Sequence, residues 1–102
     1  MDIVEEIGIA AALEQLAEES CELGQSSLKL ARYIRKENPI RKSEIDIKES
    51  IIEEIGDILN CLNVLGYIDI TKRDINKDIL DVIKYKRNRC ENSIIDAKNN
   101  TK

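Results

Sequence analysis

The run Leu13-Glu14-Gln15-Leu16-Ala17-Glu18-Glu19-Ser20-Cys21-Glu22-Leu23-Gly24-Gln25-Ser26-Ser27-Leu28-Lys29-Leu30-Ala31-Arg32-Tyr33-Ile34 decides the fold. Leu13, Leu16, Ser20, Leu23, Ser27, Leu30 and Ile34 recur at alternating spacings of three and four, which places them on one stripe of an α-helix. The stripe predicts a long helix from about Ile3 or Glu5 to about Lys36. Asn38-Pro39 ends it, because proline biases the residue before it away from the helical region, and Asn38 to Lys42 reads as a loop.

Working outward, Ser43 followed three residues later by Asp46 resembles a capping box and opens a second helix that reaches about Gly66. Ile51, Ile55, Ile58, Leu62 and Leu65 form its main apolar row, which Ile52 and Leu59 widen. Thr71 and Asp74 repeat the capping signal before a third helix, whose apolar face is Ile75, Ile79, Val82 and Ile83. One proline and four glycines in 102 residues leave few other breaks. The chain therefore reads as all-α: a single domain over residues 1–102, a bundle of three to four helices, with a tail that frays from about residue 97.

With no Phe or Trp and only three Tyr, the core has to come from Ile, Leu, Val and Ala. These bury less area than aromatics, so the core is modest and help from a second subunit is plausible. A net charge of −4 argues against nucleic acid as a partner. No apolar run is long enough to span a membrane, and Met1-Asp2-Ile3-Val4-Glu5-Glu6 carries acids where a signal peptide carries cations, so a cytoplasmic protein is expected. Cys21, Cys61 and Cys90 are odd in number and form no C-x-x-C, and they read as reduced thiols. The absence of His removes the usual general base and the usual zinc ligand.

Four carboxylates stand out by helical phase. With Leu23 as zero and 100° per residue, Glu19 falls about 40° away, inside the apolar arc, and Glu22 about 100° away on its edge. On the second helix, with Ile55 as zero, Glu54 lies about 100° away and Asp57 about 160° away, on the flank shared with Ser50 and Cys61. Each pair, taken alone, is most simply a solvated acidic face. Their conjunction on two helices is not, because like charges near a packing edge repel and a cation relieves them. Oxygen donors without His or Cys suit Mg²⁺, with Mn²⁺ as a substitute, and Mg²⁺ is commonly shared with substrate phosphates.

These residues resemble the MazG-like all-α nucleoside triphosphate pyrophosphohydrolases. That family's E-E-x-x-E reads here as Glu18-Glu19-Ser20-Cys21-Glu22, and its E-x-x-D as Glu54-Ile55-Gly56-Asp57. The likeness spans roughly residues 10 to 90, including Glu14-Gln15-Leu16-Ala17 before the first motif and Ile52-Glu53 before the second. It implies that Glu19, Glu22, Glu54 and Asp57 hold Mg²⁺ and that Glu18, with Glu19, serves the attacking water. It also implies hydrolysis of an NTP or dNTP to the monophosphate and pyrophosphate, in a homo-dimer or homo-tetramer. Lys29, two turns beyond Glu22, is placed to reach a phosphate. In Lys84-Tyr85-Lys86-Arg87-Asn88-Arg89, the resemblance points to Lys86, Asn88 and Arg89 as triphosphate contacts. A basic run on a late helix is equally its solvated face. The competing expectation is a non-catalytic module that binds a protein partner or senses nucleotides.

Overall fold

A computed structural model describes residues 1–37, 43–72 and 75–100. Four α-helices and no strand occur among them: α1 (Ile3–Ile7), α2 (Ile9–Arg35), α3 (Glu44–Val64) and α4 (Lys77–Asn100). The expected all-α class holds. Residues 38–42, where the loop was expected, and Asp74 of the second capping signal lie outside the described residues. No helix among the described residues is long and apolar enough to cross a membrane.

The first helix is divided, which its stripe did not foretell. Asp2 caps α1, its Oδ1 accepting from the amides of Val4 at 3.0 Å and Glu5 at 3.3 Å. Gly8 then adopts φ +87°, a conformation that costs glycine little and breaks the helix for one residue. Its amide closes α1 on the Val4 carbonyl, while its own carbonyl accepts from Ala12 and opens α2. At the far end Lys36 takes a left-handed conformation, and Glu37 reaches back to the Arg32 carbonyl, so the predicted stop near Lys36 is met.

The Ser43 cap is observed: its Oγ accepts from the Asp46 amide at 3.2 Å. Helix α3 closes with Gly66 at positive φ and the Tyr67 amide on the Leu62 carbonyl. Asn63 then fastens the exit by accepting from the Ile70 amide at 3.0 Å.

The chain forms two compact units, residues 1–70 and 71–102. In the first, α2 packs along α3 and α1 leans on α2. Early α2 residues meet late α3 residues and later ones meet earlier ones, so the two helices run antiparallel. Its core is small: Ala12, Ile47 and Cys61 are 4%, 2% and 8% exposed. Half-buried Leu16, Leu23 and Leu30 line the same face of α2 as Ala12. In the second unit α4 has no buried residue and continues to Asn100, so the fraying expected from about residue 97 is not seen as far as that residue.

Helix α3 is turned relative to the expected phase. Its most inward line is Ile47, Glu54 and Cys61, seven residues apart; Ile51, Ile58, Leu62 and Leu65 of the expected row are half-buried, while Ile55 is exposed. Ile45 and Ile52 are instead 68% and 69% exposed, and Ile55 and Leu59 are exposed beside them. This rotation brings a carboxylate, not an isoleucine, to the middle of the α2–α3 seam.

Candidate metal centre

Glu19 and Glu54 lie on the inward faces of α2 and α3, at about the midpoint of each helix. Glu22, one turn beyond Glu19, reaches in from the exposed rim. Each of the three offers a carboxylate oxygen, and these oxygens all lie within 4.8 Å of one another. Asp57 does not join that triangle. It is half-buried one turn after Glu54 and faces Glu19, whose charge and hydrogen bond, together with the larger effect of burial, raise its pKa.

The hydrogen bonding around the cluster is incomplete. Gln15, one turn before Glu19, donates its Nε2 to Glu19 Oε1 at 2.8 Å and fixes that carboxylate. Glu19 Oε2 and Glu54 Oε2, by contrast, are buried without a hydrogen-bond donor. Two carboxylates have only acceptor oxygens, so a bond between them requires a proton. Accordingly Glu54 is pushed from 4.5 to about 7, chiefly by desolvation, then by hydrogen bonds to Glu19 and Glu22, then by their charges. Such a titration belongs to the group rather than to one residue.

Either a proton or a cation can therefore complete this arrangement. As the pH rises through about 7 the proton is lost, and three convergent oxygen donors on two helices are of the kind a hard divalent ion takes. Cys61 lies just beyond, buried; desolvation raises its thiol pKa first, followed by the charges of Glu19 and Asp57. A raised, buried thiol is a poor nucleophile, in keeping with its expected packing role.

Among the other predicted site residues, Glu18 and Lys29 are exposed on α2. Lys86, Asn88 and Arg89 are exposed on α4, in the second unit. Sequence reasoning missed Gln15 as the residue that holds Glu19, although the signal was present, since Gln and Glu four apart on a helix are neighbours. Compared with family models, with curated proteins and with solved structures, the chain matches none.

Proposed function

We propose that the chain is a Mg²⁺-dependent nucleoside triphosphate pyrophosphohydrolase of the MazG-like kind, acting in the cytoplasm. The observation that carries the reading is the pair of donorless oxygens, Glu19 Oε2 and Glu54 Oε2, in the middle of the helix seam. A fold stabilised by that seam alone gains nothing from two carboxylates there, since buried polar atoms without partners are unfavourable. They become favourable as ligands.

In this reading Glu19, Glu22 and Glu54 would hold the ion, with Asp57 as the fourth carboxylate. The bound ion supplies charge neutralisation on the phosphates and a lowered pKa for water. Gln15 fixes the Glu19 carboxylate, so that its free oxygen stays aimed across the seam. Glu18, with Glu19, takes the proton of the water that attacks the α-phosphorus. The bond to the bridging oxygen then breaks and pyrophosphate leaves with the electron pair. Lys29, on the same helix as Glu19 and Glu22, is assigned to the phosphate oxygens, as a cation suited to them. Homo-oligomer formation belongs to the same reading, supported by the exposed Ile45, Ile52, Ile55 and Leu59 on the side of α3 turned from α2.

The test is incubation with Mg²⁺ and a panel of NTPs and dNTPs, scored for products. Monophosphate plus pyrophosphate is expected, lost in Glu54→Gln. Orthophosphate in place of pyrophosphate contradicts the cleavage position, and no product from any triphosphate contradicts the activity.

A further inference from the structure

Helix α3 carries a second stripe, on the side turned from α2. Ile45, Lys48, Ile52, Ile55, Leu59 and Leu62 follow one another at alternating spacings of three and four, the heptad pattern of a helix that packs along another helix. At 100° per residue all six fall within about 80° of Ile52, whereas Ile47, Glu54 and Cys61 lie about 140° to 180° away. Ile45, Ile52, Ile55 and Leu59 are exposed, so one copy of the chain leaves this seam in water.

The stripe is complementary to itself. Laid antiparallel on a second copy, with Ile52 against the partner's Ile55, it sets Ile45 against the partner's Leu62 and Lys48 against the partner's Leu59. Lys48, held at its head by Glu44 at 3.2 Å, keeps its methylenes for that contact. A parallel pair would instead set Lys48 against the partner's Lys48 and Glu44 beside the partner's Glu49, like charge against like. Charge therefore selects the antiparallel pair, which a two-fold axis closes. Gly56 lies at the edge of the stripe, about 40° from Ile52, and a Cβ there would meet nothing within 4 Å. Glycine weakens a helix interior, and no contact among the described residues calls for it, but it lets a second helix come close.

This face bears on the carboxylates through the rotation of α3. A rotation centred on Ile55 would bring Ile52 into the α2 seam and move Glu54 to its edge. In an isolated copy, burial of apolar surface and hydration of the carboxylate both favour that turn. Covering Ile45, Ile52 and Leu59 from outside reverses the balance.

We propose that a second copy seats its α3 antiparallel on the outer stripe of α3, and that this pairing fixes the rotation that turns Glu54 toward Glu19. The proposal rests on the metal and homo-oligomer readings above and makes each depend on the other. Dimer formation assembles the carboxylates, and an ion bound by them strengthens the dimer by the same coupling.

Sedimentation velocity over a range of protein concentrations gives the dimer constant of wild type, Ile52→Asp and Gly56→Leu. Ile52 is exposed and leucine is a better helix former than glycine, so both variants should keep their helical circular dichroism while losing the dimer. Free Mn²⁺, followed by its paramagnetic resonance signal, should be bound about tenfold more tightly by the dimer than by either variant, a usual size for coupled sites. Alkylation by iodoacetamide in a Cys21→Ser, Cys90→Ser background reads the rotation without metal, because Cys61 shares the inward line with Glu54. It should be severalfold slower in the dimer than in either variant. A wild type that is monomeric at every concentration, a dimer that both variants keep, equal Mn²⁺ affinity in dimer and variants, or equal alkylation rates would overturn the proposal. Slower alkylation in the dimer with no Mn²⁺ bound supports the pairing and its hold on α3, and overturns the metal reading alone.

Discussion

Raising the pH from 6 to 8 should tighten Mg²⁺ binding about tenfold. The Glu54 carboxyl, shielded from water and sharing a proton with Glu19 and Glu22, titrates at about 7 rather than 4.5. About one-tenth of it is ionised at pH 6 and about nine-tenths at pH 8, and only the ionised cluster binds metal. The apparent association constant follows that fraction. A carboxylate at its ordinary 4.5 would already be almost fully ionised at pH 6 and would leave the affinity nearly flat. Isothermal titration with MgCl₂ at pH 6, 7 and 8, at constant ionic strength and in two buffers of different ionisation enthalpy, reads both quantities. Close to one proton should be released per ion at pH 6 and about a tenth of one at pH 8. Glu54→Gln should remove the slope and weaken binding at every pH. An affinity that does not change with pH in wild type, or binding without proton release at pH 6, refutes the reasoning.

The metal-free protein should show the opposite trend. A folded pKa above the unfolded one makes Glu54 stabilising below about 4.5, and that contribution is lost as the pH rises through about 7. The metal-free melting temperature should therefore fall across this window by calorimetry, and saturating Mg²⁺ should offset the fall. Glu19→Gln should raise the metal-free melting temperature at pH 8 by relieving the cluster, and should abolish the rise given by millimolar Mg²⁺. A Mg²⁺ effect that survives the substitution assigns the ion elsewhere. Ile47→Ala, at the most deeply buried side chain, should cost about 3 kcal/mol in urea unfolding; a cost below about 1 kcal/mol places Ile47 outside the core. For the homo-oligomer proposed above, Ile52→Asp should lower the mass measured by light scattering, because it puts a charge on the exposed face of α3; a wild-type monomer refutes the oligomer, and an oligomer unchanged by the substitution excludes that face.

The elements most legible in the sequence were those with local causes. The Ser43 cap and the stop at Lys36 follow from a few neighbouring residues, and both lie where expected. The break at Gly8 was missed because the apolar spacing runs through it, and a single positive φ leaves no mark on periodicity. Helix α3 shows the limit of phase reasoning. Its apolar arc is wide, so a row centred on Ile55 and a face centred on Glu54 both fit the spacing. The structure turns Glu54 inward, which leaves Ile45 and Ile52 outside. For the same reason Glu19, alone within the apolar arc of α2, was readable, whereas the convergence of Glu54 upon it depended on how two helices face each other.

Anomalous diffraction from crystals grown with Mn²⁺ tests the claim on which the rest depends. The account predicts one strong peak between α2 and α3, with oxygens of Glu19, Glu22 and Glu54 at about 2.1 to 2.2 Å and Asp57 directly or through water beside it. Density at saturating Mn²⁺ with no peak in that seam, and with the Glu19 and Glu54 oxygens bonded only to water or to a shared proton, would contradict it.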